Sequence, residues 1–165
     1  MKINTNPYQP LIQHLGFTSI AAISATIAAT ASSSLQFQVW AMFIGWVAYL
    51  TRGHNIKAGM VNLICVWLGI ALGFIATLGF EILGPVMHEY TLPLMIFIVA
   101  MIVVSLRDLP ILNNLLCYFL GLISVFASHS SPSILNILAL IGPISIGAFA
   151  AWITVMLQQK LTSVK

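Results

Sequence analysis

Between Ala58 and Phe80 the chain carries no charged side chain, and similar apolar stretches recur along most of its length. A run of about 20 apolar residues covers the roughly 30 Å hydrocarbon core of a bilayer. Inside that core every backbone N–H and C=O must be paired within the protein, so only helices and closed barrels cross it. The alternating apolar and polar residues of a barrel strand are absent here. The chain is 60% hydrophobic and 5% charged over 165 residues, and no soluble fold of that size hides so much apolar surface. The sequence therefore predicts an all-α, polytopic membrane protein whose first partner is the lipid bilayer.

Polar breaks divide the chain into six transmembrane helices, near residues 15–33, 39–51, 58–82, 92–106, 111–127 and 133–157. This gives a single six-helix domain over 15–158, with short tails at 1–14 and 159–165. The long and nearly uncharged lead-in sets aside a cleaved signal peptide, although Ala29-Thr30-Ala31 resembles a cleavage site. In the first span Ser19, Thr26, Thr30 and Ser33 share a side with Ala22 and Ala29. Small residues let helices approach closely, so this side reads as a packing face, with a hydroxyl-lined pathway wall as the alternative.

With six spans, Lys2, Arg52, Lys57, Arg107, Lys160 and Lys165 all fall on one side, and the opposite loops hold no Lys or Arg. That asymmetry predicts a multi-pass protein of the cell inner membrane with both termini cytoplasmic. The net charge of +3 is thus a topology signal and implies no nucleic-acid partner.

Two stretches resemble each other, Phe43–Ala76 and Phe119–Ala150. Each opens with Phe-x-Gly, at Gly45 and Gly121. Each carries an aromatic soon after (Tyr49, Phe126) and breaks at a histidine (His54, His129). Each resumes at an asparagine (Asn62, Asn136) with a glycine eleven residues on (Gly73, Gly147). An odd number of spans separates the copies, so they lie upside down to one another. The expectation is a 3+3 inverted repeat, with halves at about 15–83 and 90–158. Inverted repeats place solute sites where the halves meet.

At 100° per residue, Asn62, Val66, Gly69, Gly73 and Ala76 form one stripe, matched by Asn136, Leu140, Pro143, Gly147 and Ala150. The candidate substrate-binding residues are therefore Asn62, Gly69, Gly73, Asn136, Pro143 and Gly147. A buried amide needs a partner, so Asn62 and Asn136 are expected to bond across the interface or to meet a polar solute. Pro143 removes one helix hydrogen bond and frees a carbonyl. Asn113 and Asn114 read as interfacial.

No Asp, Glu, Lys or Arg lies deep in a span, which argues against carboxylate-driven coupling. His54 and His129 sit at opposite surfaces and share no metal, and Cys65 and Cys117 behave as small hydrophobes. No nucleophile elbow, paired carboxylates or phosphate loop appears, so neither an enzyme nor a cofactor is expected. Two readings follow. One is a channel or facilitator for a small, uncharged solute passing between the halves. The other is a non-transporting membrane protein that assembles with or regulates a partner complex. The small protomer suggests a homo-oligomer in either case.

The pattern Phe43-x-Gly45, Tyr49, Gly53, Gly69 and Gly73, echoed from Phe119 to Gly147, resembles a family of small bacterial inner-membrane proteins called domain of unknown function 1097, which includes YcdZ-like proteins. The resemblance covers most of the chain and implies a location without an activity. The Arg52-Gly53-His54 loop departs from the family's more neutral, glycine-rich turn.

Overall fold

A computed structural model describes residues 9–53 and 55–163. Lys2, His54 and Lys165 lie outside the described residues. Six α-helices follow in order: α1 Gln9–Ser34, α2 Val39–Leu50, α3 Ile56–Met87, α4 Thr91–Ser105, α5 Leu115–Ser128 and α6 Ile134–Ser163. No strand occurs among the described residues. The helices begin and end where local chemistry breaks the backbone ladder. After α1, Gln36 adopts a φ of 60°, while the Phe37 N–H reaches the Ser32 carbonyl (2.9 Å) and the Gln36 N–H the Ser33 carbonyl (3.0 Å). This pair of hydrogen bonds satisfies orphan carbonyls of the helix end. Gly53, at φ 72°, turns the chain toward α3, and the Asn55 side chain caps α3 by accepting from the Ala58 N–H at 2.8 Å.

Among the described residues, three stretches are long and apolar enough to cross a membrane: Gln13–Ser34, Ile56–Asp108 and Ile134–Thr162. The second doubles back at His88, so that α4 returns along α3. Thr91 Oγ1 donates to the Leu83 carbonyl at 3.4 Å, and Met95 packs beside Gly79. The helices α2 and α5 have 12 and 14 residues. At 1.5 Å per residue they reach about 18 Å and about 21 Å, less than the hydrocarbon core that six equal crossings would each have to cover. The α1 helix begins inside the expected tail, and α6 runs past the expected end of the domain.

Neighbour contacts give the direction of each helix. Along α3 and α5, Asn62 lies level with Asn114, Gly73 with Val125, and the rings of Phe80 and Phe126 stand 6.5 Å apart. The two helices are therefore parallel. Along α2 and α6, Phe37 meets Gly142 and Gly45 meets Ile144, while Tyr49 shares a cavity wall with Trp152, so these are parallel too. The outer helix α1 runs antiparallel to α6, with the Gln158 amide donating to the Phe17 carbonyl at 3.1 Å. Buried Met42, Val66, Ile70, Tyr118, Val125 and Ile144 form the centre between these two parallel pairs. Arg52, Lys57, Arg107 and Lys160 gather at one end of the bundle. Glu81, His88, Glu89 and His129 mark the other.

Candidate functional site

The helix pairs meet backbone to backbone, and four glycines make this possible. A Cβ placed on Gly69 would fall 2.2 Å from the Tyr118 carbonyl oxygen, and one on Gly121 would fall 2.2 Å from the Val66 oxygen. On the other pair, a Cβ on Gly45 would fall 1.7 Å from the Ile144 oxygen, and one on Gly147 would fall 1.8 Å from the Met42 oxygen. In all four cases the carbonyl belongs to the residue three positions before the partner glycine. Both crossings are thus reciprocal and share one geometry. Small residues at a parallel crossing admit this approach, where Cα–H groups face carbonyl oxygens.

This register differs from the sequence expectation. Gly147 was matched to Gly73, but the carbonyl it stands over makes it the counterpart of Gly69, one helical turn earlier. Gly73 instead faces the side chain of Val125, where a Cβ would lie 2.8 Å from Cγ2. The α3–α5 contact has a sequence signal of its own. Asn62-Leu63-Ile64-Cys65-Val66-Trp67-Leu68-Gly69 parallels Asn114-Leu115-Leu116-Cys117-Tyr118-Phe119-Leu120-Gly121. These two segments are the contacting faces of α3 and α5.

That shared motif also builds a buried polar cluster at the basic end of the bundle. Asn62 is 1% exposed and Asn114 is 8% exposed. The Asn114 amide donates to Asn62 Oδ1 at 2.7 Å and to Thr51 Oγ1 at 2.7 Å. Asn62 Nδ2 donates to the Arg52 carbonyl at 3.2 Å and stands 3.5 Å from that of Tyr49. Thr51 Oγ1 lies 3.4 Å from Cys117 Sγ, and the Tyr118 hydroxyl donates to the Leu112 carbonyl at 3.2 Å. At the surface, the Arg52 guanidinium donates to Asn113 Oδ1. Asn114 therefore is not interfacial, as its place near a helix end suggested. It leaves its own helix uncapped and ties α5 to the α2–α3 connection. An amide pair, a hydroxyl and a thiol hold no group able to take a proton from a substrate near neutral pH. No cluster of three His, Cys, Asp or Glu residues positioned for a metal occurs among the described residues.

The six residues expected to bind substrate do not converge. Asn62 belongs to the polar cluster. Asn136 sits at the opposite end of the bundle, donating to the Ser131 carbonyl at 2.8 Å, so the two asparagines do not bond across the interface. Gly69 and Gly147 lie in the helix crossings, where backbone meets backbone, and Pro143 is buried within α6. His129 ends α5 at φ 50° and is exposed. Two apolar spaces flank the crossings. A cavity of about 330 Å³ is walled by Tyr49, Ile56, Gly59, Met60, Leu63 and Trp152 together with Ser145, Ala148 and Phe149. A second, of about 170 Å³, lies between α3, α4 and α5 beside Phe80, Met95 and Phe126. Both are walled almost entirely by apolar side chains.

Comparison with curated proteins and with solved structures gives no match. The sequence profile of one family matches residues 18–159, from the first span to the last. The apolar helices make this a membrane protein, and the chain belongs to the family described as protein of unknown function (DUF1097).

Proposed function

We propose that this protein is a non-transporting assembly module of the inner membrane. Its two halves form a 3+3 inverted repeat with both termini cytoplasmic, and it acts through lateral association, in the first instance with a second copy of itself. In this reading α2 corresponds to α5 and α3 to α6. The α2·α6 crossing is then the inverted counterpart of the α5·α3 crossing, as their common glycine geometry suggests. The short helices α2 and α5 cross where the bilayer thins around them. No catalytic step and no cofactor belong to this reading.

One observation carries it. At both crossings the halves are in backbone contact, so a solute path between them would require the glycine pairs to separate. The facilitator reading needs a polar route at that place, and two of the spaces beside it are walled by apolar side chains. A ready surface for association lies on α1, where Ser19, Ala22, Thr26, Thr30 and Ser33 are exposed along one side while Ala28 and Ser32 are buried. Small and hydroxyl side chains are the usual content of helix–helix interfaces in lipid.

The test combines two measurements. Single cysteines at Ser19, Thr26 and Ser33 are oxidised in native membranes, beside a control at Phe97 on the exposed side of α4. The native Cys65 and Cys117 are fully buried and stay silent. Disulfide dimers from the α1 positions, lost with Ala22→Leu and absent at Phe97, support the reading. No dimer above the control overturns it. Reconstituted vesicles challenged with small neutral and anionic solutes give the second readout, where entry above protein-free vesicles returns the case to the facilitator.

A further inference from the structure

Where α5 stops at Ser128, α3 runs on to Met87, and the step between them holds a cavity of about 370 Å³. Unlike the two apolar spaces beside the crossings, it is walled by polar and aromatic groups together. Thr77, Phe80 and Glu81 stand at i, i+3 and i+4, on one side of α3. Phe126 meets them from α5, its ring set at 70° to that of Phe80. His129 turns the chain at φ 50°, with its N–H on the Phe126 carbonyl at 3.3 Å, and brings its own ring and Ser130 into the wall. The cavity lies at the opposite end of the bundle from the buried asparagine pair and shares no residue with the exposed side of α1.

This wall suits a cation that donates hydrogen bonds. Glu81 supplies a carboxylate, and no Lys or Arg lines the cavity. Among the described residues that carboxylate has no hydrogen bond or ion pair, and every described Lys and Arg stands at the other end of the bundle. The Thr77 hydroxyl donates its proton to the Gly73 carbonyl at 3.0 Å, and the Ser130 hydroxyl donates to the Ser128 carbonyl at 3.3 Å. Each therefore has only lone pairs left for an occupant, and His129 in its neutral form adds a ring nitrogen of the same kind. An anion would set acceptors against acceptors. A bare divalent ion would need more close ligands than Glu81 and His129 supply, and the described residues hold no group of three. The rings of Phe80 and Phe126 fit an apolar body, and an aromatic face attracts positive charge. The volume lies at the lower end of the roughly 300–1,000 Å³ typical of small-molecule sites. We propose that this cavity binds a small primary ammonium compound. Its N–H groups donate to Glu81 and to the Thr77 and Ser130 hydroxyls, and its short apolar chain lies against Phe80 and Phe126.

The probe is n-butylammonium. Ser131→Cys places a thiol in the wall, and the native Cys65 and Cys117 are fully buried, so a maleimide reports from this position alone. In detergent micelles n-butylammonium is expected to slow the labelling saturably. The neutral n-butanol and the anion butyrate leave the rate unchanged, as n-butylammonium does for Ile111→Cys, exposed at the far end of the bundle. Glu81→Gln raises the concentration that half-protects by at least about tenfold, the loss of a charge-assisted hydrogen bond. Phe126→Leu raises it by roughly threefold. Glu81 and Phe126 are exposed, so both variants keep the fold, which unchanged melting verifies. No saturable protection by n-butylammonium, equal protection by n-butanol, or protection that Glu81→Gln leaves in place overturns the proposal. Protection by magnesium at lower concentration than by n-butylammonium also overturns it, in favour of a metal site.

Discussion

Gly147→Ala is the substitution in which the structure predicts local preference and tertiary packing to oppose each other most clearly. In an isolated helix alanine is favoured over glycine by about 1 kcal/mol. At this position the added Cβ falls 1.8 Å from the Met42 carbonyl oxygen, 2.8 Å from its carbon and 2.9 Å from the Trp46 nitrogen. Ordinary contact begins near 3.4 Å, so the helices must part by about 1.6 Å (3.4 − 1.8) at this point. The obstacle is backbone, which cannot rotate aside as a side chain does. Overpacking of a well-packed interior typically costs about 1–3 kcal/mol, and a backbone clash belongs at or above the top of that range. Taking about 3 kcal/mol for the clash and subtracting the propensity term leaves about 2 kcal/mol of destabilisation. For a chain of this length that lowers Tm by about 4–8 °C. The assay is thermal unfolding in detergent micelles followed by tryptophan fluorescence, with Trp46 beside the altered crossing. Gly84→Ala is the control, since no atom lies within 4 Å of its Cβ position. It is expected to leave Tm unchanged or to raise it slightly. A Gly147→Ala protein that melts with or above the wild type would refute the backbone-contact geometry of the α2·α6 crossing.

Other outcomes follow from the same contacts. Gly45→Ala combined with Gly147→Ala costs less than the sum of the two, because once the α2·α6 crossing has opened the second Cβ meets less. Gly45→Ala with Gly69→Ala, at separate crossings, adds within about 0.5 kcal/mol in the same melts. Asn114→Leu leaves Asn62 and Thr51 short of a donor and destabilises by about 1–2 kcal/mol. Asn136→Leu, whose amide reaches only the nearby Ser131, costs about 0.5 kcal/mol or less, and equal losses would contradict the placement of the polar cluster. Cys65 and Cys117 are fully buried, so a maleimide labels neither in the folded protein and both after denaturation. Rapid labelling of Cys117 in native membranes would show that the α2–α5 contact is open.

Composition and hydrophobic runs were enough to establish a helical membrane protein, because apolar length and the need to pair every backbone group leave few alternatives. The six helical segments and the gathering of Arg52, Lys57 and Arg107 were also legible, since polar breaks and charge are local properties of the chain. The stripe carrying Gly69 and Gly73, expected to line a solute site, lies where α3 packs against α5. A stripe says which side of a helix is small, however, and not which helix lies against it or in what register. The tertiary structure decided that Gly147 stands over the Met42 carbonyl and Gly69 over the Tyr118 carbonyl, that α3 lies parallel to α5, and that Asn114 turns inward to meet Asn62 rather than outward to the interface. It also separated Asn62 from Asn136 by the length of the bundle. The physical reason is that a one-turn slip along a helix keeps the same side facing inward, so periodicity scores both registers alike. Only the fit of a glycine against a particular carbonyl distinguishes them.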